Sequence, residues 1–295
     1  MKIVIVGSGG RLGSALCRAY GGEYAITGFN HSQLDLGSAD SIQSRLEPLD
    51  FDLLINCAAL TNVDYCETRA EEAVKINGTA VGVMGRIAET KNARVIHIST
   101  DYVFDGEKRT PYVESDPAVP ISVYGESKRQ GEIELLEVSD HHLVVRVSWV
   151  FGPDRPSFVD QILKRALEFE QVEAIADKFS VPTYTLDLAK YLKPLLFENR
   201  AGGILHLSNA GDCTWQQYGQ YAIDCAIAAG VPMKGKTVGA LRMADLKAFI
   251  AKRPVYTVLG TGRLTELTGE QPRDWRDAVE EHVRRHFAPA NSNLL

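Results

Sequence analysis

The sequence predicts an α/β fold built on a doubly wound parallel sheet, with a smaller C-terminal lid. Three observations predict it. Short apolar or β-branched runs alternate with stretches long enough for crossover helices through the first half; the first run ends in a glycine-rich turn; and the rhythm changes around Val150-Phe151-Gly152-Pro153. Repeated β–α units argue for a parallel sheet, and runs apolar at every position argue that both of its faces are covered. Ligands of such a sheet lie at the carboxyl ends of its strands.

The runs Ile3 to Val6, Tyr24 to Phe29, Leu53 to Cys57, Val95 to Ile98 and Leu143 to Val147 are the expected strands. Beyond the change of rhythm, helical patterns cover Ser157 to Phe169 and Leu186 to Phe197, and an apolar strand covers Ile204 to Leu207. Thr214 is placed to cap the next helix, and residues 274–285 form a closing amphipathic helix. A chain of 295 residues exceeds the usual single-core size. The expected division is 1–150 as a nucleotide-binding unit and 151–295 as a mainly ligand-closing unit, discontinuous because some of its segments return to the first. Pro289 to Leu295 reads as a frayed tail.

Composition excludes several classes. Hydrophobic residues at 45% and charged residues at 24% are ordinary for a globular chain. A net charge of −6 without a basic cluster argues against nucleic acid as a partner. The five cysteines are odd in number and lack a Cys-x-x-Cys pattern, which fits a reducing compartment. Met1-Lys2 runs straight into the first strand, so the N-terminus reads as a strand and not a signal peptide. No run approaches the roughly 18 apolar residues of a membrane span. The expectation is a cytoplasmic protein with no membrane partner.

The first strand ends in Gly7-Ser8-Gly9-Gly10-Arg11-Leu12-Gly13 and opens a helix. Glycines at 7, 10 and 13 permit a tight turn, close approach to a pyrophosphate and close helix packing, the dinucleotide-binding arrangement of a Rossmann sheet. Strand two ends in Gly28-Phe29-Asn30-His31, where an acid would hold the ribose of NAD. No carboxylate stands there, and Arg11 offers a positive charge to a 2′-phosphate. NADPH is therefore the expected cofactor, with NADH tolerated.

Tyr124 and Lys128 stand four apart in Tyr124-Gly125-Glu126-Ser127-Lys128, on one face of a helix. A Tyr phenol titrates near ~10, and an adjacent cation lowers that value, so the pair forms a general acid. Strand four ends in Ser99-Thr100-Asp101-Tyr102, which brings hydroxyl groups to the same binding edge.

These motifs together resemble an extended short-chain dehydrogenase/reductase. Asn56-Cys57-Ala58-Ala59-Leu60-Thr61-Asn62-Val63-Asp64, His97 through Gly106, Arg146 through Gly152, Val181-Pro182-Thr183 and Arg253-Pro254 narrow the resemblance to the dTDP-4-dehydrorhamnose reductase family over nearly the whole chain. The resemblance implies a catalytic set of Thr100, Tyr124 and Lys128. Thr100 would orient the substrate oxygen, Tyr124 donate the proton, and Lys128 bind the nicotinamide ribose. It implies cofactor contacts from Gly10, Arg11, Leu12, Asn30, Asp35, Leu36, Ala59, Leu60 and Thr61, and nucleotide-sugar contacts from Thr100, Asp101 and Trp149. The implied reaction reduces C4 of dTDP-4-dehydro-L-rhamnose to give dTDP-L-rhamnose, with residues 151–295 serving mainly as the substrate-binding domain. A homodimer is compatible with the resemblance.

Other readings share these residues. Another 4-ketosugar reductase, an epimerase or a non-catalytic NADP-binding regulatory subunit would keep them too. Asp35 either accepts from an adenine amine or caps the helix near Ser38, and Trp149 is either a sugar platform or a core residue. Lys178 and Ser180 depart from the Gln and Gly usual in the family, in a loop expected to face the lid and nucleotide. No constellation demands a metal, since adjacent strand residues such as His141 and His142 would point to opposite faces.

Overall fold

The computed structural model describes residues 1–246 and 248–288. In chain order the first half comprises β1 (Lys2–Val6), α1 (Arg11–Tyr20), β2 (Ala25–Phe29), α2 (Ala39–Leu46), β3 (Leu53–Asn56), α3 (Val63–Thr68) and α4 (Ala70–Val74). A π-helical turn, Lys75–Thr79, leads to α5 (Ala80–Thr90), β4 (Arg94–Thr100), α6 (Val123–Val138) and β5 (Leu143–Val147). The second half adds β6 (Val150–Phe151), α7 (Phe158–Glu168), β7 (Val172–Ile175), β8 (Phe179–Ser180), β9 (Thr183–Tyr184) and α8 (Thr185–Leu192). It ends with β10 (Gly203–His206), β11 (Cys213–Thr214), α9 (Trp215–Ala228), β12 (Val238–Leu241), α10 (Gly262–Thr268) and α11 (Trp275–His286).

Six strands form one parallel sheet in the order β10-β5-β4-β3-β1-β2. Because side chains alternate along a strand, an unbroken apolar run supplies both faces. Ile3, Ile5, Leu53, Ile55 and Val145 pack with Leu12 and Leu16 of α1 and Leu188 and Leu192 of α8. Val4, Val6, Leu54, Val95 and Val144 pack on the other face with Ile42 and Leu46 of α2, Met84 of α5 and Leu135 of α6. Each fully buried aliphatic side chain contributes about 1.5–3 kcal/mol, so the two layers fix the strand ends that carry the site. The doubly wound parallel sheet is the fold the sequence predicts.

The C-terminal half contributes to two cores. α7, α9 and α11 enclose Val159, Leu163, Tyr218, Ile223, Trp275 and Val279 in a core of their own, joined by Phe151. β10, in contrast, extends the large sheet by pairing Gly203 to His206 with Leu143 to Arg146, and Tyr20 of α1 donates to the Ala189 carbonyl of α8 at 2.8 Å. Thr214 caps α9 in a reciprocal box with Gln217.

Some boundaries differ from expectation. The helix read as Leu186 to Phe197 stops at Leu192 and tightens into a 3₁₀ turn at Lys193–Leu195, where Pro194 supplies no N–H for continuation. β7 with β12 and β8 with β11 are strands of two to four residues. Such short elements carry too little periodicity to be read from sequence. The tail expected at Pro289 to Leu295 lies outside the described residues.

Candidate active site

The catalytic candidates converge at the carboxyl end of β4. Ser122 caps α6 by accepting from Gly125 N–H, which starts the helix so that Tyr124 and Lys128 lie one turn apart on the face toward that strand end. The Tyr124 ring stands 5.6 Å from that of Tyr102, edge to face. Thr100 Oγ1 donates to Asp101 Oδ1 at 3.1 Å and accepts from Tyr102 N–H at 3.2 Å. Burial pushes the Tyr124 phenol well above its ordinary value, and a hydrogen bond with the Thr100 hydroxyl opposes that rise.

The cation expected to lower the phenol is directed elsewhere. Lys128, 1% exposed, has Nζ 2.7 Å from the Ile98 carbonyl and 3.0 Å from His97 Nε2. Burial draws its pKa down to about 7, so around neutrality the amine is not the full positive charge its spacing promises. His97 continues inward, its Nδ1 3.0 Å from Asn56 Nδ2, while Asn56 Oδ1 accepts from Ala58 N–H at 3.0 Å. These buried partners are missed when Tyr124 and Lys128 are read as an isolated pair. The polar Asn56 and His97 inside apolar strands were the available signal, because buried polar groups demand partners.

Asn77 is a second residue the sequence reading missed. It lies in the π-helical turn, accepts from Leu60 N–H at 2.8 Å, and donates to the Leu60 carbonyl and to Ser127 Oγ, each at 3.0 Å. It thereby fixes the Ala59-Leu60-Thr61 segment after β3 to the helix carrying Lys128.

The glycine turn has the shape of an anion cradle. Gly7 adopts φ +83°, and a Cβ there would stand 2.7 Å from Ala58 N; a Cβ on Gly13 would collide with the Gly7 carbonyl. Gly10 begins α1 with no side-chain cap among the described residues, which leaves the first amides of the helix for a ligand. These features fit a dinucleotide pyrophosphate. Leu12 and Leu36 are core residues, 8% and 7% exposed, packed on opposite faces of the sheet. Asp35 Oδ1 accepts from Gly37 N–H while Ser38 caps α2, which assigns the helix cap to Ser38.

Arg11 departs from expectation. Its guanidinium donates to the carbonyls of Val150, Arg155 and Pro156, at 3.1, 3.2 and 2.5 Å, and so clamps the turn to the segment after β6 instead of facing a 2′-phosphate. Arg155 reaches back, its Nε donating to the Gly9 carbonyl at 3.0 Å. Asn30 lies exposed at the end of β2, its Oδ1 holding Ser32 N–H and Oγ.

Trp149 follows β5 with φ +36°, a strained conformation for a bulky residue. Its indole Nε1 is buried without a hydrogen-bond partner among the described residues. Trp149 borders a cavity of about 110 Å³ lined also by Arg11, Phe158, Trp215 and Tyr218. Asp101 is 2% exposed; its Oδ2 accepts from Ser180 Oγ at 3.0 Å and Thr257 Oγ1 at 2.5 Å. Lys178 and Ser180 do not face an open nucleotide groove. Lys178 is fully buried, donates to the Pro254 carbonyl at 2.6 Å and lies 4.8 Å from the Tyr102 ring centre. Both residues brace Asp101 from behind.

His141 and His142 also differ from expectation. They precede β5 instead of lying in it, and their rings stand 4.4 Å apart with Glu89 within 4.8 Å of their ligand atoms. His142 Nδ1 accepts from Val95 N–H at 3.3 Å, which places the ring proton on Nε2, the atom a metal would need.

A cradle for a dinucleotide after β1, with a hydroxyl, a phenol and an amine at the carboxyl end of β4 in the same parallel sheet, defines a Rossmann-fold oxidoreductase of the short-chain dehydrogenase/reductase class. A family described as RmlD substrate binding domain matches residues 1–287. The spore coat polysaccharide biosynthesis protein SpsK of Bacillus subtilis is 32% identical, covering 96% of this chain and 97% of its own. A dTDP-4-dehydrorhamnose reductase from Aggregatibacter actinomycetemcomitans is also 32% identical, over 95% and 97% of the two chains. The crystal structure of dTDP-4-dehydrorhamnose reductase from Bacillus anthracis in complex with NADP superposes with a TM-score of 0.89 at 28% identity, covering 96% of this chain and 99% of that one. The chain belongs to the dTDP-4-dehydrorhamnose reductase family.

Proposed function

We propose that this protein is an NADPH-dependent reductase that converts dTDP-4-dehydro-L-rhamnose to dTDP-L-rhamnose, accepting NADH less well. The observation that carries the reading is that Thr100, Tyr124 and Lys128 stand at the carboxyl end of β4, in the same sheet whose β1 opens the glycine-lined start of α1. Gly7, Gly10 and Gly13 with the first amides of α1 would hold the pyrophosphate, and Asn77 keeps Leu60 in place along the cofactor path. When bound, the nicotinamide supplies the hydride.

The residues of the chain do the remainder. Thr100 turns its single hydroxyl proton from Asp101 Oδ1 to the C4 carbonyl oxygen when the sugar enters, and the Tyr124 phenol gives its proton to that oxygen as charge develops there. A high phenol pKa keeps that proton in place until the oxygen becomes basic. Trp149 presents an apolar ring face and a free N–H to the sugar, and residues 151–295 mainly form the substrate side. Asp101 is saturated by neighbouring hydroxyls and supports this wall by holding Thr100.

The test incubates purified protein with dTDP-4-dehydro-L-rhamnose and NADPH, follows absorbance, and determines the C4 configuration of the product by NMR. Stoichiometric oxidation with the rhamnose configuration is expected. Absence of oxidation rejects the reductase, and the opposite C4 configuration rejects rhamnose as the product.

A further inference from the structure

Three buried side chains, Asn56 of β3, His97 of β4 and Lys128 of α6, fix where one proton sits. Asn56 Oδ1 accepts from Ala58 N–H, so the amide is oriented with Nδ2 toward His97 Nδ1. An amide nitrogen only donates, so His97 Nδ1 is an acceptor. A neutral imidazole has one N–H, which must then lie on Nε2, and burial beside Lys128 holds the His97 pKa well below its ordinary value. That N–H points at Lys128 Nζ, 3.0 Å away. An ammonium has no lone pair to receive it, whereas an amine does. Nζ meanwhile donates to the Ile98 carbonyl at 2.7 Å.

We propose that His97 is a positioning residue which parks Lys128 as a neutral amine in the cofactor-free protein, and that cofactor entry draws the amine off His97 and charges it with a proton from solvent. The second half rests on the reductase reading; the first half does not. Of the other groups facing Lys128, the Glu132 carboxylate favours the ammonium and the Cys57 thiol is neutral. Glu132, one turn further along α6, already accepts from Ser99, Arg129 and Arg146, and burial raises the Cys57 thiol so that it stays protonated. Burial of Lys128 opposes that carboxylate and is the larger effect, bringing the pKa to about 7.

The arrangement gives the amine two states. Against His97 it is neutral and exerts no field on Tyr124. Drawn toward ribose hydroxyls it becomes the cation that stabilises the phenolate left after proton transfer. Charging is thereby coupled to cofactor occupancy.

The experiment has two readouts. The first is NMR of the lysine ε-carbon in cofactor-free protein, with Lys128 assigned by its absence from Lys128→Met; at about pH 8 the amine shift is expected, and an ammonium shift overturns the proposal. The second is calorimetry of NADP⁺ binding in buffers of different ionisation enthalpy. Uptake of about one proton per NADP⁺ is expected at about pH 8, vanishing near pH 6 where the lysine is charged beforehand. Binding without uptake at the higher pH overturns the coupling, while absence of NADP⁺ binding rejects the reductase reading and leaves the NMR result to decide the proton order. Two variants address the cause: His97→Gln puts an acceptor oxygen at Nζ, and Asn56→Asp accepts the proton from Nδ1 and turns Nε2 into an acceptor. In whichever of the two keeps a native melting temperature, the lysine shift moves to the ammonium value at about pH 8; retention of the amine shift overturns the role of His97.

Discussion

Asp64 and Arg253 form a two-pronged ion pair between α3 and the segment before Pro254, Oδ2 to Nη2 at 2.6 Å and Oδ1 to Nη1 at 3.1 Å. Asp64 Oδ1 also accepts the N–H groups of Ile250 and Ala251, each at 2.9 Å, so one carboxylate ties the segment after β3 to the strand-like segment that braces Lys178. The Arg253 hydrogen bond holds the Asp64 pKa at about 2. A folded value below the unfolded one of ~3.9 means the pair contributes fully above about pH 4 and loses its contribution as pH falls toward 2. Asp64→Asn is expected to lower stability by about 2 kcal/mol at neutral pH, as for a lost charged hydrogen bond. Urea unfolding at neutral pH and at about pH 3 checks this, because the gap between variant and parent should narrow at the lower pH.

Tyr124→Phe removes one hydroxyl and keeps the ring that packs on Tyr102. Folding and NADPH affinity should stay within about twofold of the parent, while turnover falls by ~10²–10⁴. Pre-steady-state rates with the ketosugar give the direct reading. Turnover close to that of the parent would remove Tyr124 from proton donation.

The Glu132–Arg146 pair is buried, the side chains 0% and 1% exposed, with Nη2 to Oε2 at 2.7 Å and Nε to Oε1 at 2.9 Å. Removing one member strands the other charge away from water. Glu132→Leu or Arg146→Met alone is expected to cost about 3–5 kcal/mol, and the double replacement Glu132→Leu with Arg146→Met to recover much of that loss. A double-mutant cycle in urea separates the pair from its desolvation. Additive losses would show that the two charges are not coupled.

The outline of the fold was legible because it rests on local pattern, and the Tyr124–Lys128 spacing was legible as two positions one turn apart on a single helix. Apolar runs such as Ile3 to Val6 determine strands whatever lies beyond them, and the glycine spacing determines a turn. What was not legible depends on partners far along the chain. The direction of the Arg11 guanidinium is set by carbonyls at 150, 155 and 156, and the charge of Lys128 by burial and by a histidine on another strand. Lys178 was visible as a departure from the family pattern. That it lies behind Asp101 and not in a groove follows only from the packing of the 254–257 segment.

Discrimination between NADPH and NADH gives the sharpest check on the cofactor side. The Arg11 side chain holds three carbonyls and should support both cofactors alike. Arg155 is better placed for a 2′-phosphate. Its Nη2 lies 4.0 Å from the point where a Cβ on Gly9 would stand, and Asn30 Cβ lies 3.4 Å from the same point, so guanidinium and strand-two end flank one edge of the turn. A charge-assisted contact there is worth about 1.5–3 kcal/mol. Arg155→Ala is expected to weaken NADPH at least about tenfold and to change NADH by less than about twofold. Arg11→Ala should weaken the two by similar factors, since it loosens the turn that both share. Dissociation constants from cofactor fluorescence, measured at one ionic strength, decide between the two arginines. Selective loss of NADPH in the Arg11 variant, with none in the Arg155 variant, would return the phosphate contact to Arg11 and require its side chain to leave the carbonyls it holds here.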